Sequence, residues 1–101
     1  MPAPLDLIVA DPADADLVAI FRWSSERFGA AVAADYLRGL NDAFGSLCRH
    51  PQAGRPHRLT AEPVRVLSHR SHRFFYDATE KVVTILRVLH QAQSVERGID
   101  G

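Results

Sequence analysis

The apolar residues of this chain keep helical spacing up to about residue 49 and alternate like a strand after residue 63. That one change of period limits the layers it can build. In the first half, Leu17, Ile20, Phe21, Ser24 and Phe28 recur on one helical face, and Gly29 follows as a stop. The spacing predicts a helix over about 12–28. Val32, Ala33, Tyr36, Leu37, Leu40, Ala43, Phe44 and Leu47 form a continuous apolar stripe. It predicts a second helix over about 31–49, although Gly39 and Gly45 inside it each cost up to ~1 kcal/mol relative to Ala. Two helices joined by a tight glycine turn make an antiparallel αα-hairpin.

In the second half, Val64, Val66 and Ser68 alternate with Arg65 and Leu67, and Arg73 to Asp77 is rich in aromatics. After a short turn at Ala78, Thr79 and Glu80, the run from Val82 to Leu89 is the most β-prone of the chain. It is apolar on both faces, which places it inside the sheet. These segments predict three strands in an antiparallel meander. Ahead of the helices, Leu5, Leu7 and Val9 alternate with Asp6 and Ile8, a short strand with one apolar face. It stops at Asp11-Pro12, with Asp11 as N-cap, Pro12 at the first helical position, and Asp14 and Asp16 in the first turn. Residues 50–63, with three prolines and one glycine, read as a loop. Gln93 to Gly98 reads as a short terminal helical turn. The order is β-α-α-β-β-β. It describes an α+β fold: an αα-hairpin packed on one face of a small, mainly antiparallel twisted sheet, in a single domain over 1–101.

Charge and composition narrow the function. Lys+Arg and Asp+Glu each number 12, so the net charge is zero. Direct nucleic-acid binding, which is dominated by phosphate contacts, is thereby disfavoured. The charges are unevenly placed, however. The first sixteen residues hold Asp6, Asp11, Asp14 and Asp16 and no Lys or Arg. Arg49 to Arg73 holds six Arg, four His and one acid, Glu62, which predicts a basic face. The lone Cys48 excludes an intramolecular disulfide and lies on the apolar side of the second helix, as a small hydrophobe. The N-terminus lacks the pattern of a signal peptide, and no apolar run approaches the ~20 residues of a membrane span, so the expected compartment is the cytoplasm.

No metal or cofactor is expected. His69 and His72, the closest histidine pair, lie three apart, and on one strand they would point to opposite faces. His50 and His57 stand in a loop without a carboxylate or thiol nearby. No serine sits in an elbow motif, and no glycine-rich phosphate loop is present. Acid–base cleavage of RNA would need a proton donor, an acceptor and cations around the scissile phosphate. Arg65, Arg73, Tyr76, Arg87 and His90 could form such a patch if their faces agree. Equally, they could cover the solvent side of a half-exposed sheet. Val18 and Trp23 fall off the main stripe of the first helix; surplus apolar groups of this kind mark a protein interface or pack at the rim of the core.

Three motifs in the helical half are Glu26–Gly29 (an E-x-x-G turn), Tyr36-Leu37, and Pro51–Pro56 (P-x-x-G-R-P). The strand half adds Arg73, Tyr76 and the run Ile85–His90 (ILRVLH). In this order and spacing they resemble ParE-type toxins of the RelE/ParE superfamily over nearly the whole chain. In that superfamily, RelE-like members cut mRNA on the ribosome and ParE-like members poison DNA gyrase. Arg73 occupies a position where the nucleases keep a functional arginine. The nucleases also place basic residues and a late Tyr after the last strand, whereas here Gln91 to Val95 carries neither and the next cation is Arg97. The resemblance therefore implies a gyrase poison of the ParE branch rather than an enzyme. The alternatives are a RelE-type endoribonuclease, using Arg65, Arg73, Tyr76, Arg87 and His90, or a non-toxic partner in an antitoxin repressor complex. It also implies a ParD-like antitoxin that alone contacts operator DNA. Its partly helical C-terminal segment would use the groove beside the αα-hairpin. Val18, Trp23, Arg55 and Arg58 are the candidate antitoxin contacts; Arg65, Arg73, Arg87 and His90 are the candidate target contacts.

Overall fold

A computed structural model of the protein describes residues 3–59 and 62–91, without the side chains of Arg58, Leu59 and Glu62. The helical turn expected at Gln93–Gly98 lies outside the described residues. Strand β1 (Asp6–Val9) leads into helices α1 (Asp11–Phe28) and α2 (Ala30–Arg49). Four strands follow: β2 (Arg55–Leu59), β3 (Glu62–His69), β4 (His72–Ala78) and β5 (Val82–His90). The sheet order is β1-β5-β4-β3-β2. β1 runs parallel to β5, and every other neighbouring pair is antiparallel. The α+β class and the interior position of β5 are as the sequence predicts.

Two local expectations are corrected. The segment 50–63 is not all loop, because Arg55 to Leu59 forms β2, paired with β3 from Arg55↔Val66 to Leu59↔Glu62. Its polar, proline-bearing sequence hides it. An edge strand needs no two-sided apolar pattern and tolerates proline, which a central strand does not. The N-cap of α1 is Ala10, in extended conformation, with no side-chain capping bond; Asp11 and Pro12 both lie inside the first turn. The Asp14 N–H donates to the Ala10 carbonyl at 2.9 Å, the first bond of the helix.

Gly29 makes the hairpin. Its φ of +92° turns the chain between helices, its N–H donates to Ser25 O at 3.0 Å, and its carbonyl accepts from Ala33 N–H at 3.1 Å. α2 then lays Leu40, Phe44 and Leu47 on the sheet, against Phe74, Tyr76, Val83, Ile85 and Val88, with Ala13 contributed by α1. Phe44 and Phe74 meet edge to face, 5.0 Å between ring centroids, a favoured aromatic geometry. Cys48 is buried at the end of this cluster, and burial pushes its thiol pKa up. Strand alternation turns Phe75 to the opposite face, where it is buried with Val64, Val66 and Leu89. Between β4 and β5 the register shifts, because Phe75 faces Arg87 while Tyr76 faces Ile85. Leu86 is the extra residue of this bulge, which re-aims the last residues of β5.

Candidate functional site

β1 accompanies β5 only from Val82 to Ile85. Beyond Ile85 no strand among the described residues lies beside the edge of β5, and α1 takes the place. Asp16 reaches that edge: its Oδ2 accepts the Val88 N–H at 2.9 Å and Arg87 Nε at 2.8 Å, and its Oδ1 accepts Arg87 Nη2 at 3.0 Å. One carboxylate thus satisfies an edge N–H and clamps a guanidinium in fork geometry. Both side chains are largely buried, at 26% and 16% exposure, and the bond to Asp16 raises the pKa of Arg87 further. From sequence, Asp16 reads only as an acid in the first helical turn; no local signal announces a partner 71 residues away.

Next to this clamp, α1 and the end of β5 enclose a groove of about 400 Å³. Ile20, Val88 and Leu89 line it, Trp23 stands on its α1 side, and His72 and His90 stand on the sheet side. Trp23 is 52% exposed and Val18 51%. The Trp23 ring meets Phe28 edge to face at 6.1 Å, and the Arg27 guanidinium lies 4.7 Å from its centroid. The indole is therefore held in place while much of its surface stays open.

A histidine cluster borders the same groove. Tyr36 Oη and His72 Nδ1 share a hydrogen bond of 2.6 Å. The His72 and His90 rings are 5.4 Å apart at 83°, and the Tyr36 ring lies 6.0 Å from His69. Burial lowers the pKa of His72, with His90 and His69 adding to the effect, and burial raises that of Tyr36. The expectation that His69 and His72 point apart is corrected. They are register partners on two strands, with the Arg70–Ser71 turn between them, so both reach Tyr36. Among the described residues, no three His, Cys, Asp or Glu side chains gather as metal ligands.

The five residues of the nuclease alternative lie on β3, β4 and β5 with different partners. Tyr76 is fully buried; its hydroxyl donates to Pro51 O and accepts from Gly54 N–H, both at 2.8 Å. Arg65, its register partner, donates to Gly54 O at 2.7 Å. Arg73 lies with Phe75, its guanidinium 5.9 Å from that ring, and His57 meets the same ring at 5.7 Å. Arg87 and His90 are at the groove. The antitoxin candidates separate as well. Val18 and Trp23 are on α1, whereas Arg55, exposed, is on β2 at the far edge of the sheet. Arg58 lies on the same strand opposite Pro63, and its side chain is outside the described residues. A partner that touches both sets must wrap the domain.

Comparison with known proteins agrees with this architecture. The family described as "ParE toxin of type II toxin-antitoxin system, parDE" matches residues 7–95. A Toxin ParE1 of Caulobacter vibrioides is 37% identical over 82 residues, 81% of this chain and 84% of that protein. In the solved chromosomal ParDE toxin–antitoxin system of P. aeruginosa, one chain superposes with a TM-score of 0.74 at 23% identity, covering 85% of this chain and 95% of that one. A chain of the RelBE2 toxin–antitoxin complex of Mycobacterium tuberculosis gives a TM-score of 0.62 at 27% identity, covering 88% and 100%. The P-x-x-G-R-P motif that carried the sequence resemblance has a physical reason here: a Cβ at Gly54 would lie 2.6 Å from Tyr76 Oη and 2.9 Å from Val66 O. With fold, motif and relatives in agreement, the chain belongs to the ParE toxin family of type II toxin–antitoxin systems.

Proposed function

We propose that the protein works in the cytoplasm as a non-enzymatic, single-domain toxin that inhibits DNA gyrase, and that a ParD-like antitoxin neutralises it. The observation that carries the non-enzymatic part is that members of the nuclease set are engaged by the fold itself. Tyr76 spends its hydroxyl on Pro51 and Gly54, Arg87 is clamped by Asp16, and Arg73 lies with Phe75. Cleavage needs proton donor, acceptor and cations free to converge on one phosphate, and the polar atoms of Tyr76 and Arg87 are already engaged within the fold. The absence of cations between Gln91 and Val95 in the sequence points the same way.

Support for the antitoxin comes from the groove and from the relatives. Two structural neighbours come from a ParDE system and from a RelBE2 toxin–antitoxin complex. The groove offers apolar walls and an exposed, braced tryptophan, which suit the apolar face of an amphipathic helix. Arg55 and Arg58, with Arg65 further along the sheet, supply cations that a following acidic segment would meet. Arg65, Arg73, Arg87 and His90 stay the candidate contacts to the target.

Tightly controlled expression without antitoxin tests the reading. Filamentation, DNA breaks and blocked supercoiling are the expected result. Rapid arrest of translation with cut mRNA would make the chain a ribosome-dependent endoribonuclease, in which case Arg73→Ala and His90→Ala should abolish cutting. Normal growth would leave a non-toxic partner of an antitoxin repressor.

A further inference from the structure

We infer that the pocket between α2 and the β3–β4 turn receives a carboxylate side chain of the toxin's protein target, with the Arg70 guanidinium as its counter-charge. This deepens the proposed function and rests on the toxin having a protein target.

The pocket holds about 330 Å³ and is lined by Val32, Asp35, Tyr36 and Gly39 of α2 and by His69 and Arg70 at the turn. Features that do not stabilise the domain meet there. Arg70 stands in the two-residue turn between His69 and His72 at φ +53°, in the left-handed region, where Gly or Asn would form the turn at lower cost. Gly39 lies inside α2, where Ala would favour the helix. It admits the His69 ring, because a Cβ there would lie 3.1 Å from His69 Nε2. That Nε2 is buried and has no hydrogen-bond partner among the described residues. Local costs of this kind collect at functional sites, where the surrounding fold offsets them.

The chemistry of the pocket selects its occupant. Arg70 is exposed, and among the described residues its guanidinium makes neither an ion pair nor a hydrogen bond. Its charge reaches the Tyr36 hydroxyl, whose pKa is raised by burial and lowered in part by Arg70. The acid of the pocket, Asp35, is held by Arg38. Val32, itself exposed, and the Tyr36 ring offer an apolar wall to the methylenes of an Asp or Glu. A cation beside an apolar wall suits a single carboxylate on a folded partner. A nucleic-acid backbone would call for a run of cations, and the net charge of the chain is zero. The pocket and the α1–β5 groove share no lining residue. Target and antitoxin therefore meet different side chains.

The test uses Arg70→Asn, which suits the left-handed turn and removes the guanidinium, and Arg70→Glu, which reverses the charge. Four properties are measured against the wild type: growth arrest on tightly controlled expression without antitoxin, inhibition of supercoiling by purified gyrase, affinity for the antitoxin encoded beside the toxin, and unfolding temperature. Arg70→Asn should unfold at the same or a higher temperature and bind the antitoxin unchanged. It should need about ten- to hundredfold more protein to block supercoiling, the loss of one charge-assisted hydrogen bond, and Arg70→Glu should lose more. A purely structural Arg70 would instead give a lower unfolding temperature and weaker antitoxin binding along with lower toxicity. Full growth arrest by Arg70→Asn, or a weakened antitoxin complex, would overturn the inference. If the wild type arrests growth without inhibiting gyrase, the gyrase reading fails, and growth arrest by the two variants still decides the pocket. Normal growth with the wild type sinks both. If the wild-type toxin alone retards DNA or RNA and Arg70→Asn does not, the occupant is a phosphate and the assignment to a carboxylate is wrong.

Discussion

Replacing Tyr76 with Phe removes one oxygen from the best-enclosed polar contact of the fold. That hydroxyl is fully buried and donates to Pro51 O while accepting from Gly54 N–H, each at 2.8 Å. The ring remains and its apolar packing is kept, so the loss is confined to the hydrogen bonds. Two neutral hydrogen bonds contribute about 0.5–1.5 kcal/mol each, and a buried donor left unpaired costs about 1–3 kcal/mol. The expected destabilisation is therefore about 2–3 kcal/mol, a large share of the ~5–15 kcal/mol that domains of this size possess. Urea unfolding should show a lower midpoint with an unchanged slope, because the surface exposed on unfolding is the same. Gly54→Ala gives a second arm. Its Cβ would press on Tyr76 Oη, Tyr76 Cε1 and the Val66 carbonyl at 2.6, 2.7 and 2.9 Å, and overpacking of this kind costs about 1–3 kcal/mol. The two residues share a contact, so the double variant should lose less than the sum of the singles. A loss below about 0.5 kcal/mol for Tyr76→Phe, or strict additivity with Gly54→Ala, would refute this account of the P-x-x-G-R-P motif.

Asp16→Ala removes the acceptor of the Val88 N–H and the carboxylate that grips Arg87; a loss of about 2–4 kcal/mol is expected by urea unfolding, and less than about 1 would show that water replaces the carboxylate there. Gly29→Ala has open space around the new Cβ, so its cost is the backbone alone, about 1–3 kcal/mol for a side chain at φ +92°, ψ 156°; a neutral result would mean that the turn relaxes. His72 has a lowered pKa in the folded chain. The unfolded chain therefore binds its proton more readily, and this contribution to stability is present above pH about 6.5 and lost as the pH falls toward the folded value. His72→Gln should reduce the drop in urea midpoint between about pH 7.5 and 5.5, whereas an undiminished drop would assign the effect to other groups.

The sequence made the core legible because its signals are local. The Leu40–Phe44–Leu47 stripe needs only helical spacing, and β5 needs only a β-prone run with apolar residues on both faces. β2 was illegible for a physical reason. Arg55-Pro56-His57 has no apolar alternation, and it becomes a strand because β3 offers unpaired backbone, not through its own pattern. The helix start shifted by one residue because the extended conformation of Ala10 sets the cap, not the side chain of Asp11. Trp23 and Val18 were legible as off-stripe apolar groups, and both are exposed. Asp16 with Arg87, and His72 with His90, were not. Each is an ordinary residue for its local position, and the pairs form only through the bulge at Leu86 and the register of β4 on β5.

The shortness of β1 ties these observations together. A longer first strand would pair β5 along its whole length and leave no room for α1 at its end. Because β1 stops opposite Ile85, the remaining edge of β5 must be satisfied otherwise, since an exposed strand edge invites pairing with other chains. Asp16 covers part of that edge through the Val88 N–H, and α1 leaning there leaves the groove beside it. In the proposed complex, the antitoxin helix fills what the short strand left open. The device that protects the edge of the free toxin and the seat of its inhibitor are then two consequences of where β1 ends. Restoring β1 pairing past Ile85 by insertion should weaken antitoxin binding even if the fold survives.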